Sequence, residues 1–390
     1  MADQHRTFDL AVVGGGAVGL SCAWRAARAG LSVVLLEQDE FFGDRASSAG
    51  VERQWRFQYS DEEMTRLVLA AVPLWRELEE AAGRRLIHTT GSLWFGEVAE
   101  STNEGHISDA AKVLERLDLP FEWVTAAEIE RRFGFRDLPG HYEGFYQPGG
   151  GVIDVKGTLF ALYCQARAAG ADLRERQRVT GLAVTGDGVR LSTGAGTLTA
   201  GRLVVAGGAY SGELLRSWGV EFKVEIYEMA TAYFQVRDPS VDYPTWFAFQ
   251  KPAETDSNLF YGFGQSPWGP RGTIRVAPDF EVDPLHSPRE ADGTPRAADL
   301  RRTADWVRRH MPGLDPEPLR PSTCLIALPA DPGRDFYLGT VPEGTAGAGR
   351  VVVCAAGWMF KFAPLFGQIC VDLAVDGATS HDISRLTFGR

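Results

Sequence analysis

The chain has 390 residues, 44% of them hydrophobic and 23% charged, and a formal net charge of −11. This is the composition of a globular protein, long enough for two domains or for one with a large insertion. The acidic balance argues against nucleic acid and anionic membrane surfaces as partners, and no apolar run reaches the length of a bilayer span.

The first element is a buried strand, Phe8 to Val13, feeding into Gly14-Gly-Gly16-Ala17-Val18-Gly19. A helical pattern runs from Leu20 to Ala29, and a second apolar run, Leu31 to Leu36, ends in Glu37. Strand, glycine turn, helix, strand and acid together predict a dinucleotide site. Gly14 makes the tight turn, Gly16 lets the backbone approach a pyrophosphate, and Gly19 lets helix and strand pack closely. The helix N-terminus offers free N–H groups to the phosphates, and Glu37 can accept hydrogen bonds from a ribose.

A helix is expected from Asp61 to Ala82, with Met64, Leu67, Val68, Ala71, Leu74, Trp75 and Leu78 on one face and Gly83 as its stop. Residues 86–96 look like one strand entering a new region. Short helices are expected at 109–119 and 126–133, and a longer one from Thr158 to Ala169. Two alternating strands from Val179 to Ser192 flank a Gly-Asp-Gly turn. Leu203 to Gly208 and Val351 to Gly357 are buried strands ending in glycine. Between them lie an aromatic-rich, strand-like stretch over 220–280 and an Arg-rich amphipathic helix over 298–311, read as a solvated face. A last helix runs from about Pro364 to Asp376. The dinucleotide-type elements therefore fall in three blocks, 1–83, 151–218 and 325–390. The fold class expected is mixed α/β: a Rossmann-type domain interleaved with a smaller antiparallel-sheet substrate domain over 84–150 and 219–324.

Nicotinamide enzymes and flavoproteins share the glycine turn. The three-block layout favours FAD, a long cofactor that meets several strand ends. No second GxGxxG follows a strand: Gly194-Ala-Gly196-Thr-Leu-Thr199 fails at its third glycine. A flavoprotein without a nicotinamide site takes electrons from an organic substrate and passes them to O2 or a carrier. The five cysteines, 22, 164, 324, 354 and 370, are scattered without a CxxC pair, which predicts a reducing, cytoplasmic setting. No HExxH or GxSxG occurs, and no metal site is expected.

Three motifs carry a resemblance to the monomeric sarcosine oxidase and N-methyltryptophan oxidase group of the D-amino-acid-oxidase-like flavoproteins, over essentially the whole chain. The first is Ser47-Ser48-Ala-Gly-Val-Glu-Arg53-Gln-Trp-Arg56. The resemblance implies that Arg53 lies near the flavin ring and that Arg56 grips the substrate carboxylate, which suits a two-pronged guanidinium. The second is Gly357-Trp-Met-Phe-Lys361-Phe, where the family's lysine shares that carboxylate. The third is Cys324, followed by Asp331 and Phe336; the family's cysteine is bonded covalently to the flavin. Here Ile326 replaces an aromatic residue of the family pattern. The family's oxygen-activating lysine is absent too. The matching stretch is Gly272-Thr-Ile274-Arg275, aligned with Ile274 at the lysine, and Arg275 or Arg271 is left as a source of charge. The resemblance further implies that Tyr261 lines the substrate pocket, that Gly207, Gly208 and Gly357 contact FAD, and that Val179 faces the adenine. It implies a monomeric enzyme that oxidises a secondary, N-methyl or cyclic amino or imino acid to an imine, with O2 as acceptor giving H2O2. A flavin dehydrogenase or a flavin-binding electron-transfer subunit stays open as the alternative.

Overall fold

The computed structural model describes residues 7–221, 223–251, 258–279, 283–330, 336–342, 344–345 and 347–387. The chain starts with β1 (Thr7–Val13), α1 (Ala17–Arg28), β2 (Val33–Leu36), β3 (Glu52–Trp55), α2 (Glu62–Ala82), β4 (Ile87–Thr89) and β5 (Ser92–Gly96). It continues with α3 (Ile107–Arg116), β6 (Glu122–Thr125), α4 (Ala126–Phe133), β7 (Glu143–Gln147), β8 (Gly151–Asp154) and α5 (Val155–Ala168). Next come β9 (Asp172–Arg174), β10 (Val179–Thr185), β11 (Gly188–Thr193), β12 (Gly196–Val205), α6 (Ser211–Ser217), β13 (Val224–Gln235), β14 (Thr245–Phe249), β15 (Leu259–Gly262) and β16 (Thr273–Pro278). The chain closes with α7 (Ala297–His310), β17 (Leu319–Pro329), β18 (Tyr337–Thr340), β19 (Val351–Ala355) and α8 (Ala363–Val375).

Three sheets form. In the first, β9, β2, β1, β12 and β19 lie side by side in parallel, and the β10–β11 hairpin and β18 extend it antiparallel. Its central strands β2 and β19 and the ends of β1 and β12 read as apolar runs because both faces are covered there. Leu10, Val12, Leu35 and Val352 face α1, α5 and α8; Ala11, Val34, Leu203 and Val353 face the other side. The second sheet has the order β17-β13-β16-β15-β14-β5-β7-β6. Its strands alternate: Ala232, Phe234, Ile274 and Val276 pack with α7, leaving Tyr233 and Arg275 on the opposite face. The third sheet, β3-β8-β4, is small, and its β3 touches the second sheet through Gln54 Nε2 to the Gly262 carbonyl (3.3 Å) and Arg275 Nη1 to the Glu52 carbonyl (3.0 Å).

Two local readings change. Residues 86–96 make two strands in different sheets, because the backbone turns at Gly91 (φ 76°). A Cβ there would lie 2.1 Å from the Tyr146 hydroxyl, so only glycine permits the switch. The helix α7 does present Arg301, Arg308 and Arg309 to solvent, but its other face is core. Trp306 stacks on Trp246 (4.7 Å between centroids, 15°) and on Phe260 (5.3 Å, 22°). Strand β17 also passes through residues 324–325 without a break, so the sequence boundary there lies inside one strand. Among the described residues, no helix is long and apolar enough to cross a membrane.

The ring stack on Trp306 ties α7 to β14 and β15 of the second sheet. Trp306→Ala is expected to lower stability by about 3–5 kcal/mol, read as an earlier denaturant midpoint. An unchanged midpoint would contradict this packing account.

Candidate active site

The parallel strands of the first sheet all end on one side, and the site is built there. Gly14 follows β1, Glu37 follows β2, Ala206 to Gly208 follow β12, and Ala356 and Gly357 follow β19. Ligands bind in this position in open α/β sheets because loops diverge at the carboxyl edge. A cavity of about 720 Å³ runs along it, lined by Gly14, Gly16, Glu37, Ser47, Val179 and Gly207 among others. It shares Gly16, Ser47, Ser48, Ala206 and Gly208 with a second cavity of about 170 Å³. The two form one continuous groove.

The glycine turn is as tight as its spacing predicts. A Cβ on Gly14 (φ 110°) would lie 2.4 Å from the Ala206 carbonyl oxygen. Gly19 lies outside both cavities: its Cα packs on the Gly14 carbonyl, where a Cβ would come within 1.9 Å. Its contribution is helix–strand packing. The Glu37 carboxylate clamps the turn by accepting from Gly15 N–H (2.6 Å) and Asp39 N–H (3.0 Å). Ala17 N–H donates to Ser48 Oγ (3.3 Å), and α1 has no acid in its first turn to neutralise its N-terminus. These residues fit a dinucleotide: glycines where backbone must come close, an acid after β2, and a helix N-terminus facing the groove.

The smaller cavity is lined by Arg53, Arg56, Tyr261, Cys324, Gly357 and Lys361, all expected at the site, together with Ala17, Val18, Ser47 and Ser48. Asp331 lies outside the described residues. Phe336 is core, packed against Phe362 and Phe366 rather than the cavity.

Arg53 Nη2 donates to the carbonyls of Ser47 (2.6 Å) and Ala49 (2.7 Å) and contacts Cys324 Sγ (3.4 Å). Arg56 is 2% exposed, and its Nη2 is paired with Glu104. Its Nε and Nη1 have no hydrogen-bond partner among the described residues. Burial works against the Arg56 charge, but Glu104 and Tyr59 outweigh it and raise its pKa above the ordinary value. The Tyr59 ring sits between the two expected carboxylate-binding cations, 4.6 Å from the Arg56 guanidinium carbon and 5.5 Å from Lys361 Nζ. Lys361 is 7% exposed, and its Nζ donates to the Trp358 carbonyl at 3.4 Å. Burial pushes the Tyr261 hydroxyl up to about 12, so it stays a neutral donor. Tyr261 stacks on Phe247 (5.6 Å), and Phe263 completes an aromatic wall.

Several site residues escaped the sequence reading. Glu104 lies between β5 and α3 with no motif around it. Asp279, just past β16, also lines the cavity and accepts from Asn103 Nδ2 (3.2 Å). Ile274, the position aligned with the family lysine, points into the core, while its neighbour Arg275 faces the cavity. Arg275 Nε donates to Thr231 Oγ1 (2.9 Å), and its guanidinium lies 4.6 Å from the Phe263 ring centre. Ala356 (φ 63°), a non-glycine in the left-handed region, sits at the cavity edge. Such strain marks functional edges more often than ordinary loops.

Comparison with known proteins agrees with this layout. Residues 9–373 match the family described as DAO, FAD dependent oxidoreductase. Among solved structures, NikD, described as an unusual amino acid oxidase essential for nikkomycin biosynthesis, superposes with a TM-score of 0.93 at 50% identity, over 98% of this chain and 97% of that one. The monomeric sarcosine oxidase of Streptomyces avermitilis is 30% identical across 97% of this chain and 96% of the relative. A protein of Dictyostelium discoideum, provisionally named a bifunctional amine oxidase, is 31% identical over 98% of this chain, which spans 37% of that longer protein.

Proposed function

The chain belongs to the FAD-dependent oxidoreductase family, and we propose that it oxidises the C–N bond of a secondary, N-methyl or cyclic amino or imino acid to an imine. The observation that carries this reading is the buried Arg56, with two nitrogens unpartnered beside Lys361 at the aromatic end of the groove. A carboxylate-bearing substrate would supply the acceptors that Arg56 Nε and Nη1 lack.

The FAD-binding part is assigned to residues 1–83, 151–218 and 325–390 and the substrate part to 84–150 and 219–324, with β17 shared between them. Gly14, Gly16, Ala17, Val18, Glu37, Ser47, Ser48, Val179, Gly207 and Gly357 would hold the cofactor. Bound FAD supplies the hydride acceptor. Arg56 and Lys361 fix the substrate carboxylate, and Glu104 orients Arg56 by occupying Nη2. Phe247, Tyr261 and Phe263 flank the rest of the substrate and exclude water. This positioning makes the transfer effectively unimolecular. The substrate amine must be neutral to release hydride, and the buried cations disfavour an ammonium. O2 is the proposed acceptor, giving H2O2; Arg275 and Arg53 supply the positive charge that favours electron transfer to oxygen in place of a lysine.

Covalent attachment of FAD through Cys324 is supported by the cavity position of its thiol and by Arg53 at 3.4 Å, which holds it in place. A monomer is supported by the sarcosine oxidase relative, which is named monomeric. The five free cysteines support a cytoplasmic location.

Arg56→Lys keeps the charge and loses the fork. It is expected to raise KM for a carboxylate substrate ~30-fold, about 2 kcal/mol, with kcat changed less. An unchanged KM would remove Arg56 from substrate binding. Cys324→Ala is expected to release its flavin into the supernatant on acid precipitation, while the wild-type pellet stays yellow. A colourless wild-type pellet would rule out the covalent bond.

A further inference from the structure

Behind the cavity lies a carboxylate that the proposed reaction does not use. Glu52 opens β3, one residue before Arg53, and is 3% exposed. Its side chain accepts from Ser266 Oγ and lies 3.5 Å from the Tyr233 hydroxyl. The loop after β15 packs directly on it: a Cβ on Gly269 would sit 2.5 Å from Glu52 Oε1. The Glu52 backbone carbonyl accepts from both Arg53 Nη1 (2.8 Å) and Arg275 Nη1 (3.0 Å). One residue thus ties the two cavity arginines together, with its carboxylate beside them but not in a direct ion pair with either among the described residues.

The groups facing this carboxylate come from several elements: Arg53 on β3, Tyr233 on β13, Ser266 in the loop after β15 and Arg275 on β16, with Tyr261 on β15 and Cys324 on β17 lining the adjoining cavity. Asp154, the register partner on β8, is engaged with Arg84 and the start of α5. Burial pushes the Glu52 carboxyl above its usual value, against the opposing pull of Ser266, Arg275, Tyr233 and Arg53. Burial also raises the Tyr233 hydroxyl to about 12, with Glu52 adding to it, so Tyr233 remains a neutral donor. The formal count is simple: with Glu52 ionised, Arg53, Arg275 and Glu52 sum to one positive charge, and with Glu52 protonated they sum to two.

We propose that Glu52 is a positioning residue whose ionisation sets the net charge of the Glu52–Arg53–Arg275 cluster beside Cys324, and through it the reduction potential of the bound FAD. The inference rests on the assignment of this groove to FAD and on nothing about the substrate. Reduction adds negative charge to the cofactor, so each added positive charge nearby raises its potential. The cluster is therefore a better electron sink below the Glu52 ionisation than above it.

The test is the midpoint potential of the holoenzyme flavin as a function of pH, measured against reference dyes without substrate. The wild-type curve is expected to carry a proton-linked inflection that Glu52→Gln loses. Above that inflection the Glu52→Gln potential lies higher than wild type, and Glu52→Asp restores the inflection. Tyr233→Phe removes a donor to the ionised form and moves the inflection to higher pH, which covers the case in which Glu52→Gln does not fold. A wild-type curve without an inflection, the wild-type inflection retained in Glu52→Gln, or an unmoved one in Tyr233→Phe, overturns the proposal. Because no substrate is present, this outcome is separate from failure of the amine-oxidation reading, which would show as a normal potential with no reducing substrate.

Discussion

Four cations, Arg53, Arg56, Arg275 and Lys361, converge on a cavity of about 170 Å³, and three carboxylates, Glu52, Glu104 and Asp279, stand in or just behind its wall. Desolvating that many charges is costly, and the cost is recovered only where each finds a partner. The architecture can be understood as the means of holding this cluster. The third sheet presents β3, which carries Glu52 and Arg53, with Arg56 one residue past its end, towards the cavity. The second sheet supplies Tyr233, Tyr261, Arg275 and Cys324 from one face of four neighbouring strands. The end of β19 supplies Gly357 and, one short turn later, Lys361. The surplus of positive charge is what an anionic substrate and an electron-accepting cofactor would offset.

The parts of the site legible from the residues alone are those whose chemistry is local. The glycine turn, α1 and Glu37 lie within one strand–helix–strand unit, so spacing was enough to assign them a joint purpose. The family resemblance then placed Arg53, Arg56, Cys324 and Lys361, and the structure brings all four to one cavity. Glu104 and Asp279 could not be found this way. They meet the arginines only through tertiary folding, and each sits in a segment without periodicity or motif. Arg275 was read with Arg271 as a source of charge, and alternation explains its place: along Thr273–Pro278 it puts Ile274 and Arg275 on opposite faces, and a charged residue on a buried strand belongs on the face that has a cavity. The split of residues 86–96 was hidden because both halves have strand-like composition, and only the close contact between Gly91 and Tyr146 shows where the chain changes sheets.

The aromatic residues of the middle segment divide along the same alternation. Phe234, Trp246 and Phe260 fill the core under α7, and Phe249 packs with Trp94 and Phe145. Among the described residues of this stretch, only the rings of Phe247, Tyr261 and Phe263 border the cavity. The abundance of rings therefore reports mainly on how the second sheet is covered, and these three border the cavity proposed for the substrate.

The account stands on carboxylate recognition by a cation cluster beside bound FAD. The most direct measurement is anaerobic mixing of the purified holoenzyme with matched pairs of compounds, a secondary or cyclic amino acid and its decarboxylated amine, while the flavin absorbance is followed. The account predicts rapid bleaching by at least one amino acid of the series and little or none by the matched amine. Equal bleaching by both members, or none by any carboxylate-bearing amine, would contradict it.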